Sequence, residues 1–303
     1  MDKPGEGRVT NNPEYRPRRS CLYMPGANSR AIDKASSLDT DVVILDLEDA
    51  VSPELKESAR DAVCVAVSEK RFGSREVVIR INSLDTPWGN SDMERAVQAG
   101  PDILLAPKVS TAADVEQLNA AIDAIDASTR ISLWVMIETP LAVLNIAEIA
   151  AAAKHTRLAG FVLGTNDLVK DMRSHMTPDR ASFQTALQLS VTAARAYGLV
   201  AIDGVFNDIS DAKGLESECS QGRNLGFDGK TLIHPSQLEI CNRVFSPTAD
   251  EIAQARDVIL AFEDEANAGK GVIKVNGKMT ELLHLEEAKR LINIVEAIGG
   301  VAN

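Results

Sequence analysis

The chain has 303 residues, enough for one large α/β domain or two smaller ones. Its 44 acidic residues against 32 lysines and arginines give a formal net charge of -12, so no global field draws nucleic acid or an anionic membrane surface, and an anionic ligand has to find a local basic patch. No stretch approaches the roughly 20 apolar residues of a membrane span, and Asp2, Glu6 and Glu14, with no apolar core around them, argue against a targeting peptide.

Residues 1–17 are polar with scattered Pro and Gly and read as a flexible N-terminal arm. Ser20 to Met24 predicts the first strand, closed by Pro25-Gly26, and Asn28 or Ser29 caps the helix that follows. That turn can hold an anion at a helix N-terminus, with Arg18, Arg19, Arg30 and Lys34 around it; the same side chains would equally make a solvated basic surface. Val42 to Leu45 is an apolar run that ends in Asp46, Glu48 and Asp49, and Ser52-Pro53 then opens a helix with Leu55, Ala59, Val63 and Ala66 at helical spacing. The strand Glu76–Asn82 carries Arg80 near its end. A guanidinium there suits a two-pronged grip on a substrate carboxylate, or serves to neutralise the acids.

Ile103 to Lys108 is the next strand. Ser132 to Ile137 then runs into Glu138, where Thr139-Pro140 turns the chain at once into a helix expected from Leu141 to Ala153. Gly160 to Leu163 leads to a further acid, Asp167, with a helix predicted near Ser182 to Tyr197. Leu199–Gly204 and Phe227–Ile233 add two short strands. Eight strands alternating with helices over about 230 residues have the period of a TIM (β/α)8 barrel, which places the active face at the C-terminal strand ends. The barrel is assigned to residues 18–247. Carboxylates converging there repel one another unless a cation lies among them, and hard oxygen donors without Cys or His point to Mg²⁺. Four widely spaced cysteines, Cys21, Cys64, Cys219 and Cys241, lack any CxxC pairing and read as free thiols of a cytoplasmic protein.

Residues 248–303 break the rhythm. An amphipathic helix from Ile252, an Asn276-Gly277 tight turn and a last helix from Leu282 to Ile298 form a C-terminal helical extension, either a packing brace or a lid over a neighbouring subunit.

With these elements in place, seven stretches, each at a strand end and in order, carry a resemblance. They are Arg19 to Gly26, Leu45 to Val51, Val78 to Asn82, Pro107 to Val109, Ile137 to Pro140, Leu163 to Leu168 and Gly226 to Lys230. Over nearly its whole length the chain resembles the HpcH/HpaI aldolase and citrate lyase superfamily, in particular the citrate lyase beta subunit-like CoA-ester lyases. The resemblance implies a barrel that binds Mg²⁺, or Mn²⁺ in its place, through Glu138 and Asp167. It implies that Arg80 holds a 2-oxo acid and its developing oxyanion, and that Glu48 and Asp49 hydrogen-bond the metal's water ligands. Arg30 and Lys34 become candidates for the CoA moiety, with Arg19 and Thr165 as further substrate contacts. The implied partners are a CoA thioester and a 2-oxo acid, in a trimer or hexamer whose tail covers the next subunit.

One departure stands out. Malyl-CoA and citramalyl-CoA lyases that resemble this chain carry an Asp after a Gly-x-Met segment in the tail, as the group that moves the proton at carbon. Here Gly277-Lys278-Met279-Thr280 leads to Glu281, which is either that group or the first-turn acid of the last helix. The expected reaction is reversible carbon-carbon cleavage of a 3-hydroxy-3-carboxyacyl-CoA, citramalyl-CoA ahead of malyl-CoA, giving pyruvate or glyoxylate and acetyl-CoA. Citryl-CoA cleavage, a CoA-independent class II aldolase and a non-catalytic CoA-binding relative are the alternatives.

Overall fold

The structure, a computed structural model, describes residues 15–301. The arm expected at the N-terminus therefore lies, up to residue 14, outside the described residues. From Arg18 to Phe245 the chain forms one compact unit. Its first half runs β1 (Ser20–Pro25), α1 (Ser29–Ala35), β2 (Val42–Asp46), α2 (Lys56–Ser68), β3 (Glu76–Arg80), α3 (Gly89–Ala99), β4 (Ile103–Ala106) and α4 (Ala112–Asp126). The second half runs β5 (Ser132–Ile137), α5 (Pro140–Leu144), α6 (Ile146–Ala151), β6 (Leu158–Leu163), α7 (Thr165–Asp171), α8 (Gln184–Tyr197), β7 (Val200–Asp203), α9 (Ala212–Leu225), β8 (Gly229–Leu232) and α10 (Leu238–Phe245). The strands pair in sequence order and in parallel, and β8 returns to β1 through Ser20↔Lys230 and Leu22↔Leu232, which closes the eight-stranded barrel.

Side-chain alternation then decides which residues meet at the barrel mouth. Cys21, Val42, Ile44, Val78, Ile103, Leu105, Trp134 and Met136 form one buried cluster made of strand residues, the barrel interior. Their neighbours Leu22, Val43, Leu45, Ile79, Leu104 and Val135 join the helices in the larger outer core. Two residues beyond Ile44, Val78 and Met136 stand Asp46, Arg80 and Glu138. The interior phase of three strands thus delivers these charged groups to the top of the barrel, where the apolar layers stop.

Two expectations for the local structure change. The helix predicted over Leu141–Ala153 is broken at Asn145: α5 ends before it and α6 starts after it. Asn145 turns its side-chain amide out to donate to the Ser110 carbonyl at 3.0 Å, the kind of side-chain to backbone bond by which Asn competes with a continuous helix. Asp167, read as a strand end, instead sits in the first turn of the short helix α7.

Residues from Ser246 onward belong to a second compact unit. It holds α11 (Ala249–Glu263), the antiparallel hairpin β9 (Val272–Val275) and β10 (Lys278–Glu281), and α12 (Leu282–Val301). Asn276 and Gly277 take φ of 48° and 82°, the two left-handed positions that a tight hairpin turn of the I′ kind needs. Ala255, Val258, Ile273, Val275 and Ala288 are its small core. Among the described residues no helix is long and apolar enough to cross a membrane.

Candidate active site

Arg80 is the centre of the acidic end of β2. Its Nε and Nη2 donate to the two carboxylate oxygens of Asp46 at 2.7 and 2.6 Å, and Nη1 lies 2.8 Å from Glu48 Oε2 and 3.6 Å from Asp49. The guanidinium carbon lies 4.8 Å from the centre of the Tyr23 ring. Stacked and bidentate, Arg80 is held in one orientation. Of the two roles considered for it, neutralising the acids is the one seen: Nε and Nη2 are taken by Asp46 and Nη1 faces Glu48, so no two-pronged face is left open for a substrate carboxylate. Asp49 is mostly exposed at the rim, whereas the Glu48 carboxylate is largely buried. Burial pushes the Glu48 carboxyl up to about 8, against the pull of Arg80, and the nearby Asp49, Glu138 and Asp46 charges add to the rise.

The backbone that carries Glu48 is tied from below. Lys56 Nζ donates to the carbonyls of Leu47 and Glu48 at 2.8 and 2.7 Å and to Asn82 Oδ1 at 2.8 Å, while Asn82 Nδ2 donates to Leu47 O and to the buried Asp92. This mesh satisfies buried polar groups that the β2–α2 loop would otherwise leave open.

Glu138 and Asp167 meet through Lys108. The Lys108 ammonium is ion-paired to Asp167 and lies 3.5 Å from Glu138 Oε1, and the Lys108 backbone N–H donates to the same oxygen at 2.7 Å. Burial works against the Lys108 charge, but the hydrogen bond to Asp167 and the Glu138 and Asp167 charges outweigh it, so the ammonium titrates above an ordinary lysine. Burial also raises the Glu138 carboxyl, opposed by Lys108 and aided by Asp167. Glu138 Oε2 is buried without a partner. An orphaned carboxylate oxygen beside a second carboxylate is the kind of donor set that suits a hard divalent cation. Among the described residues no group of three or more His, Cys, Asp or Glu side chains could cage a metal. Two carboxylates, with the remaining positions left to water and substrate oxygens, fit Mg²⁺, which keeps much of its hydration.

A cavity of about 330 Å³ opens beside these groups, with Tyr23, Asp46, Arg80, Met136, Thr165 and Asp167 in its wall. Thr165 is buried and its Oγ1 has no partner, so it offers a donor and an acceptor to whatever fills the space. Arg30 and Lys34 are exposed on α1, which follows the C-terminal end of β1. Glu281 ends β10 in the second unit, with its backbone N–H donating to His284 Nδ1 at 3.0 Å, immediately ahead of α12. Arg19 is a correction. It precedes β1, at the opposite end of the barrel from the carboxylates, and grips Asp41 through Nε and Nη2 at 2.8 Å each, so it does not reach substrate.

The Pro107-Lys108-Val109 stretch does not by itself mark Lys108 as a site residue. The interior phase of β4 is Ile103 and Leu105, so Lys108 is out of step and would point outward. A left-handed backbone, φ 58°, turns it towards Glu138, and no residue pattern announces that.

A closed parallel barrel with an arginine and carboxylates gathered at the C-terminal ends of its strands is the architecture of a TIM-barrel active site. The chain belongs to the HpcH/HpaI aldolase/citrate lyase family, whose profile matches residues 19–235. It is 47% identical over 282 residues to a (3S)-malyl-CoA thioesterase of Cereibacter sphaeroides, covering 93% of this chain and 96% of the relative. It is 38% identical over 287 residues to the citrate lyase subunit beta of Leuconostoc mesenteroides subsp. cremoris, covering 92% and 94%. Among solved structures, CitE from Mycobacterium tuberculosis in complex with magnesium, acetoacetate and coenzyme A superposes with a TM-score of 0.73 at 28% identity, covering 92% of this chain and 97% of that one.

Proposed function

We propose that the protein is a divalent-metal-dependent enzyme that hydrolyses the thioester of malyl-CoA to malate and CoA. The observation that carries this reading is the 47% identity, over almost the full length of both chains, to a (3S)-malyl-CoA thioesterase. It replaces the citramalyl-CoA preference expected from the sequence. The site chemistry supports it. Glu138 and Asp167 would hold Mg²⁺, which supplies a Lewis acid for the substrate's oxygens. Arg80, locked by Asp46 and Tyr23, would meet the substrate carboxylate through Nη1 alone, which it shares with Glu48 2.8 Å away. Glu48, protonated near neutral pH, would move a proton at the reacting oxygen, and Thr165 Oγ1 would fix the substrate's orientation. Arg30 and Lys34 are assigned to the CoA phosphates.

Carbon-carbon cleavage to glyoxylate and acetyl-CoA is the second reading, favoured by Arg80 and Asp167 in the wall of one cavity, with Glu138 joined to Asp167 through Lys108, in a family that includes citrate lyase beta subunits. That reaction needs an acid at the acetyl carbon, a role that falls to Glu281 if the tail covers a neighbouring subunit in a homo-oligomer. Thioester hydrolysis does not need it, which is why it is preferred for a chain with Glu at that place.

The test is to incubate the purified protein with (3S)-malyl-CoA and Mg²⁺ while following free thiol, malate and glyoxylate, with EDTA in a parallel sample. Thiol and malate released in step, without glyoxylate and only with metal, is the expected outcome. Glyoxylate and acetyl-CoA in equal amounts would establish the lyase, and no product at all would remove malyl-CoA as the substrate.

A further inference from the structure

Lys108 places a positive charge between the two carboxylates that are proposed to bind the metal. We propose that its ammonium is a resident counter-cation of the Glu138–Asp167 pair, displaced when a divalent cation binds, so that metal occupancy and this lysine position exclude each other. The inference rests on the metal assignment made above.

Two observations carry it. First, the ammonium engages Asp167 and approaches Glu138 Oε1 to 3.5 Å, yet Glu138 Oε2 stays buried without a partner, so the lysine compensates the charge but leaves the donor set incomplete. A dication binding these oxygens would come within a few ångströms of the ammonium, a like-charge contact costly enough at that range to force one of them out. Second, the lysine is built to leave without disturbing its neighbours. Its backbone N–H, at 2.7 Å from Glu138 Oε1, orients that carboxylate independently of the side chain. The side chain itself is 37% exposed on a flexible four-carbon stem. A neighbouring cavity of about 310 Å³, with Lys108, Asp85 and Asp114 in its wall, provides space and negative charge to receive it. In the metal-free protein the same ammonium prevents two carboxylates, one of them fully buried, from facing each other uncompensated.

The test is Mn²⁺ binding to the substrate-free, full-length protein, read by electron paramagnetic resonance, with thermal melts in EDTA and in Mn²⁺. Lys108→Met keeps the backbone donor and removes the charge, so its affinity should rise about tenfold or more. Its melting temperature should fall in EDTA, and Mn²⁺ should raise it further than it raises the wild type. Lys108→Arg, which keeps the charge, should bind no tighter than wild type; Glu138→Gln should lose the metal. Lys108→Gln supplies the same comparison if the methionine variant does not fold. Unchanged or weakened Mn²⁺ binding in the neutral variants overturns the proposal. Absence of Mn²⁺ binding in every form overturns both it and the metal assignment. Tighter binding in Lys108→Met, together with no malyl-CoA turnover by the wild type, upholds it while sinking the substrate reading.

Discussion

Glu48 is a residue whose protonation belongs to the fold rather than to its side-chain chemistry. Its carboxyl rises from an ordinary value of 4.5 to about 8 because burial outweighs the neighbouring Arg80. Between those two values the native state holds a proton that the unfolded state has lost, so stability must fall as pH rises through that window. In EDTA, wild type should therefore lose stability relative to Glu48→Gln between pH 5 and 8.5, by about 2–4 kcal/mol, read from paired thermal or denaturant melts. Parallel profiles would show that Glu48 is ionised throughout. At this scale the sequence was informative wherever strand alternation applied: Asp46, Arg80 and Glu138 lie in phase with the interior residues before them. It was silent where a single torsion decides, as at Lys108, and ambiguous for Arg19, because a basic residue ahead of a strand looks the same whether it reaches substrate or pairs with Asp41 at the far end.

At the scale of elements, the turn from β6 into α7 matters most, because it packs against the end of β5. Gly164 sits at that turn with its N–H donating to the Ile137 carbonyl at 3.1 Å, so its position is set by the sheet. A Cβ added there would lie 2.4 Å from both Glu138 Cβ and Glu138 Oε2, closer than real atoms approach. Because Glu138 Cβ is fixed to the backbone, relieving both contacts means parting the end of β5 from this turn, and the carboxylate moves with it. Gly164→Ala should therefore weaken Mn²⁺ binding about tenfold or more through misplacement of Glu138, while costing about 1–3 kcal/mol of stability by overpacking. Metal affinity equal to wild type would mean that Glu138 is not held by this turn. The strong apolar runs made the strands readable, and the Asn276-Gly277 hairpin was announced by its own residues. The break at Asn145 was not, because it depends on the Ser110 carbonyl, a partner 35 residues away.

At the scale of the whole barrel, the seam to examine is β7 to β8. Only Ile202↔Gly229 and Asp203↔Lys230 are in register there, against five aligned positions between β2 and β3. Buried charge reinforces this short ladder. Asp203, Arg180 and Lys230 are fully buried: Arg180 Nη1 reaches both Asp203 oxygens at 2.7 and 2.8 Å, and Lys230 Nζ reaches Glu218 at 2.6 Å and Asp203 at 3.5 Å. The four residues come from the segment before α8, from β7, from β8 and from α9, so one network fastens four parts of the chain across this seam. Burial alone would raise the Asp203 carboxyl, but Lys230 and Arg180 overcome it and hold it below its usual value. Asp203→Asn removes the shared anion and leaves two buried cations with Glu218 alone, a loss of about 3–5 kcal/mol by the measure of broken buried pairs. Because the damage is confined to the seam, amide hydrogen exchange should quicken first in β7 and β8, with β2 and β3 keeping most of their protection. Exchange that accelerates equally in every strand would show instead that the barrel opens as one unit and that the ion network stabilises it globally, not at the β7–β8 seam.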